Sequence, residues 1–135
     1  MLEFNFTNKK QKKSFDLIKA LLIKCKKDKA IKVIDYIYPL TKPTKNSYEI
    51  KDHINLSGSN PLCGPDFVPL TNIYESKNGI IVVGLKNGVT PNNKEKKILL
   101  KAGVKAYCYN LIPTAIIAAS LGLKIKAVGI VKRFM

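Results

Sequence analysis

Apolar residues recur along this chain in two periods. Over residues 9–27, Phe15, Ile18, Leu22 and Cys25 repeat at three- and four-residue spacing, with Leu21 beside them and Lys12, Lys13, Lys24 and Lys27 between. That period predicts an amphipathic helix. Lys19, one turn after Phe15, gives it a charged edge. The pattern then shortens. Runs rich in β-branched and aromatic residues predict strands over 31–38, 47–54, 79–85, 104–109 and 124–131. Pro39 ends the first, and a turn with Pro43 leads into the second. A helical turn is expected near 69–75.

Two more helices carry clear punctuation. Over 91–102, Thr90 is the expected N-cap, Pro91 takes the first helical position and Gly103 closes the helix. Over 112–121, Asn110 can cap the start and Gly122 follows the end. That second segment is uncharged and rich in small residues, so it should lie packed between other elements. Strands alternating with helices predict an α/β fold with a central, mostly parallel sheet and flanking helices. One domain over 1–135 is expected, with residues 1–29 as an N-terminal helix and 30–135 as the core.

Charge changes the picture next. The 135 residues hold 24 Lys and Arg against 9 Asp and Glu, a net charge of +15. Such a surplus raises nucleic acid as a partner. Arg133 is the lone arginine, however, so no arginine cluster offers paired phosphate contacts, and there is no aromatic run of the RNA-binding type. A lysine-rich, arginine-poor composition also follows from A/T-rich codons. No apolar run is long enough for a membrane span, and the N-terminus has no apolar signal core. Cys25, Cys63 and Cys108 are odd in number and widely spaced, which fits a reducing cytoplasm. One histidine and nine scattered carboxylates imply no metal, no cofactor and no catalytic triad.

Few residues carry candidate chemistry unaided. Asn110 stands at a strand-to-helix junction, where backbone N–H groups favour anions; it is either a phosphate or nucleotide contact or a plain cap. The run Gly84-Leu85-Lys86-Asn87-Gly88 lacks the Lys-Ser/Thr ending of a phosphate loop and reads as a turn. His53 reads as a structural histidine, with Asp52 placed to fix its ring.

The segment IKDHINLSGSNPLCGPD, residues 50–66, is the most specific string in the chain. Asp52, His53, Ile54, Asn55, Leu56, Gly58, Asn60, Pro61, Leu62, Gly64 and Pro65 match the DHIN…G…NPL.GP segment of trimeric-class purine nucleoside phosphorylases, and the chain resembles that family over roughly 30–133. The resemblance implies the C-terminal part of the nucleoside phosphorylase fold. It also implies phosphorolysis of purine nucleosides to a base and ribose 1-phosphate, with phosphate and a purine nucleoside or nucleotide as ligands. The departures from the pattern fall on the chemistry. The family's glycine-rich phosphate loop and Arg-x-His pair have no counterpart. Asn110 stands where the family has a phosphate-binding serine, Pro91 where it has the purine glutamate, and Arg133 where it has the asparagine on purine N7.

A truncated, degenerate homologue is therefore expected, catalytically incompetent alone. The alternative is a non-catalytic binding module for a nucleotide, nucleic acid or partner subunit. A residual ligand site is expected beyond the ends of strands 79–85, 104–109 and 124–131, lined by Asn110, Arg133, Asn87 and Gly88 and favouring an anion. Loss of covering elements predicts self-association as a dimer or trimer, with helix 9–27 packed on the sheet.

Overall fold

The computed structural model describes residues 2–7, 30–56 and 73–132. The helix expected over 9–27, the motif beyond Leu56 and Arg133 lie outside the described residues. Six strands and two helices follow in the order β1 Leu2–Asn5, β2 Ala30–Pro39, β3 Ser47–Asn55, β4 Ile80–Gly84, α1 Asn93–Lys101, β5 Val104–Cys108, α2 Leu111–Ser120 and β6 Lys124–Val131. The pattern had not marked β1, whose four residues are too short to show a period.

The expected mostly parallel sheet is present, with four of its six pairings parallel, and it closes on itself. β2 and β6 pair in parallel from Ala30↔Lys124 to Ile37↔Val131. β6 pairs antiparallel with β3, which is parallel to β4, which is parallel to β5. β5 returns antiparallel to β2 at Tyr38↔Tyr107 and Pro39↔Ala106. Five strands thus form a barrel, with β1 added parallel to the first part of β2. The length of β2 makes closure possible: along one edge it holds β1 at Ile31–Ile34 and still reaches β5 at Tyr38. Two of the sheet's ladders, β3–β6 and β2–β5, are antiparallel.

Alternation along β2 buries Ile31, Val33, Asp35 and Ile37 and leaves Lys32, Ile34, Tyr36 and Tyr38 more open. The buried row joins Ile50, Val82, Ala106, Ile125 and Ala127 in one core with α2. Each fully buried aliphatic side chain contributes roughly 1.5–3 kcal/mol. As its composition foretold, α2 is buried from Leu111 through Ala118. On the other side of β4 and β5, Leu99 of α1 packs with Val83, Val104 and Tyr107.

Two local expectations shift. α1 begins two residues later than Pro91: Asn92 is its N-cap, accepting from the Glu95 N–H at 2.9 Å, while Glu95 Oε1 accepts from the Asn92 N–H at 3.0 Å. That reciprocal pair satisfies two end donors, where Thr90 could have satisfied one. Gly103, at φ +88°, closes the helix as expected. Residues 73–75 are extended instead of helical, with Tyr74 bridged to Ile125 and the Glu75 N–H donating to the Ile125 carbonyl at 2.8 Å.

Candidate functional site

The ends of β4 and β5 are tied together first by backbone. The Leu85 N–H donates to the Cys108 carbonyl at 3.0 Å. The turn that follows closes with the Val89 N–H on the Lys86 carbonyl at 2.9 Å, and Gly88 takes φ +84°, where a side chain would strain the turn. The Tyr109 hydroxyl donates to the Val89 carbonyl at 2.8 Å. Asn87 and Gly88 are thereby anchored to the residue before Asn110, so three of the four expected ligand residues share one end of the barrel. Arg133 lies outside the described residues. Its strand leaves elsewhere: β6 runs antiparallel to β3, and its end is held by the Asn46 carbonyl and the Ile37 carbonyl, which accept from Val131 and Lys132 at 2.9 and 3.0 Å. The expectation that 124–131 ends alongside 79–85 and 104–109 assumed a parallel sheet and does not hold.

The most unusual group beside Asn110 is Asp35. It is 2% exposed in the inward row of β2. Its Oδ2 accepts the backbone N–H groups of Asn110 and Leu111, each at 3.0 Å. Its Oδ1 accepts the Tyr36 N–H at 2.8 Å and lies 3.4 Å from the Asn110 side-chain nitrogen. Asn110 itself makes no side-chain cap bond. The helix is capped from a distant strand, by a carboxylate in the seat that the dipole and free amides offer to an anion. Burial raises the Asp35 pKa from 3.8 to about 6, against the lowering effect of these hydrogen bonds. Cys108 next to the site is buried and its thiol is pushed well up, so it is no nucleophile.

The sequence reading missed Asp35. The available signal was an acid at a core position of an alternating strand, Ile31-Lys32-Val33-Ile34-Asp35-Tyr36-Ile37. Just outside this row, Tyr38 and Tyr107 stack with ring centres 5.0 Å apart, and Tyr109 meets both edge-on. Lys132 lies 4.8 Å over the Tyr36 ring.

His53 is a separate matter. Asp52 does not fix its ring; the Asp52 carboxylate accepts the His53 backbone N–H at 2.8 Å. The ring is held by Tyr74, whose hydroxyl is 2.5 Å from Nδ1. Burial lowers the His53 pKa and raises that of Tyr74 well above its ordinary value. The phenol therefore keeps its proton and the imidazole stays neutral, and the tautomer of the ring sets which of the two donates. Among the described residues no cluster of metal-ligating side chains forms, and no helix is long and apolar enough to cross a membrane.

This closed barrel with a buried helix packed against it is a known shape. No family model matches the sequence, and no curated protein sequence matches it. Solved purine nucleoside phosphorylases share the fold. A Schistosoma enzyme in complex with guanosine is 22% identical, with a TM-score of 0.74 over 91% of this chain and 60% of that one. The Schistosoma enzyme with hypoxanthine is 22% identical, with a TM-score of 0.75 over 91% of this chain and 55% of that one. A purine nucleoside phosphorylase with ribose-1-phosphate gives 22% identity and 0.72 over 87% of this chain and 56% of that one. The chain thus spans 55–60% of the length of these three enzymes. The shared property is a purine nucleoside phosphorylase-like fold.

Proposed function

We propose that this chain is a degenerate nucleoside-phosphorylase-like barrel that does not carry out phosphorolysis of purine nucleosides alone. One observation supports the reading above others. At the helix start where the resemblance places the phosphate-binding serine, both leading backbone amides are already taken by Asp35. An attacking phosphate dianion would meet an occupied cradle and, once Asp35 ionises, a like charge. Pro91 in place of the purine glutamate removes the second requirement, a group that stabilises charge on the leaving base. The test is a coupled assay with inosine and phosphate. Turnover should be absent; turnover near that of an ordinary phosphorylase would overturn the proposal.

A second reading is favoured by the way the Tyr109–Val89 bond gathers Asn87, Gly88 and Asn110. In it the chain holds a purine nucleotide or phosphate without reacting, using those three residues. The side-chain amides of Asn87 and Asn110 can donate to a phosphate, so a nucleotide should bind better than inosine in isothermal titration. Loss of that order, or full anion binding by Asn87→Ala, would reject it. We also propose that the chain assembles as a dimer or trimer. Leu56 and Ile98 are 57% and 67% exposed, apolar surface that association would cover. Light scattering that gives a monomer would reject this assembly.

A further inference from the structure

We propose that the barrel carries a second ligand site, a pocket for a small anion with a flat or apolar body, at the mouth where β4 begins. The cavity there measures about 250 Å³. Ile37, Ile80 and Ala106 line it as apolar wall, and Thr44, Lys42 and Lys105 are among its polar lining. It is not the site discussed above: Ile80 opens β4, whereas Asn87 and Gly88 follow its end.

Charge selects the ligand class. The ionisable side chains lining the cavity are Lys42, Lys105 and Tyr48, with no carboxylate. Among the described residues the one ion pair is Lys32 with Glu3, so neither Lys42 nor Lys105 has an acidic partner there. Both side chains are exposed at the rim of an apolar wall. This arrangement attracts an anionic head to the rim and an apolar body to the interior.

Hydrogen bonding adds a neutral donor. The Tyr48 hydroxyl oxygen accepts the backbone N–H groups of Thr44 and Lys45 at 3.0 and 3.1 Å. Both lone pairs are then used, so the phenolic proton goes to Thr44 Oγ1, 3.2 Å away. The Thr44 hydroxyl proton is left for an acceptor in the cavity. Two ammonium groups and one hydroxyl donor suit a phosphate or carboxylate head. The cavity volume suits a body no larger than one or two rings.

The test uses the full ¹⁵N-labelled chain and three probes: phenyl phosphate, inorganic phosphate and phenol. Phenyl phosphate should shift the amide signals of Thr44, Ile80 and Ala106 saturably, at least about tenfold more tightly than either of the others. Lys42→Gln with Lys105→Gln should lose about tenfold in affinity. Lys94→Gln with Lys96→Gln, an equal loss of charge on α1, should change little. The proposal is overturned if phenyl phosphate does not bind or binds no better than phosphate. Equal loss in the two double variants, or shifts spread over lysine-bearing surface, would overturn it as well.

Discussion

A β-carbon placed on Gly129 would lie 2.5 Å from Cγ2 of Ile37 and 2.8 Å from its Cδ1. The two residues sit on neighbouring strands, and the missing side chain of one is the space of the other. Ile37 is fully buried, and the contact falls on its side chain within the seam. Gly129→Ala should therefore overpack the β2–β6 seam and destabilise the protein by about 1–3 kcal/mol. A urea titration reads this as a lower midpoint. An unchanged midpoint would mean that the seam is looser than its contacts indicate.

That glycine was also the unused clue to closure. The strands of 30–39, 47–55 and 124–131 were legible because each carries β-branched residues bounded by proline, turn residues or glycine. α2 was legible because an uncharged small-residue helix has to be buried. Pairing was not legible, since parallel and antiparallel partners read alike from composition. A glycine inside a strand marks a close approach, and Gly129 stands where two strands of the ring crowd. The specific motif begins within β3, at Asp52–Asn55. Asp35 went unread because its role is long-range: it caps a helix 76 positions further on.

The cap of α1 is local and separately testable. Asn92 and Glu95 exchange two hydrogen bonds in the solvent-exposed first turn. Asn92→Ala removes the acceptor for the Glu95 N–H and should cost about 1 kcal/mol. Thr90→Ala, at the position the sequence suggested, should cost less. Thermal unfolding of the two variants side by side decides between the caps; a larger loss at Thr90 would contradict the observed one.

His53 reports on its own environment, being the single histidine. Its folded pKa lies below the 6.5 of an unfolded chain because burial disfavours the charged ring. The unfolded state therefore takes up the proton first as pH falls. The stability this group contributes is present above about 6.5 and is lost as pH drops toward the folded value. Tyr74→Phe deletes the hydrogen-bond partner of Nδ1. It should cost about 1–2 kcal/mol at pH 7.5 and move the His53 pKa, upward where the phenol donates to the neutral ring and downward where Nδ1–H donates to the phenol. Proton NMR of the imidazole Cε1–H across pH gives the shift directly. A His53 pKa that stays put would show that Tyr74 only packs against the ring.

Asp35 has the opposite sign. Its folded pKa of about 6 lies above the 3.8 of an exposed carboxyl, because burial outweighs the hydrogen bonds to Asn110, Tyr36 and Leu111. Between those values the folded protein holds a proton that the unfolded chain releases. Stability should thus rise as pH falls from about 6 toward 4, by about 3 kcal/mol at full extent. Asp35→Asn removes the titration but offers the helix one acceptor oxygen in place of two. It leaves an N–H₂ group facing the donors of Tyr36 or Asn110, so it should be less stable than the natural chain at pH 4.5. At pH 7.5 the difference should narrow, because the natural chain there bears the cost of a buried charge. Urea unfolding of both proteins at the two pH values isolates this term from every other titrating group. Parallel pH dependence in the two would show that Asp35 does not change protonation in this range, leaving its carboxylate as a permanent charge at the head of α2.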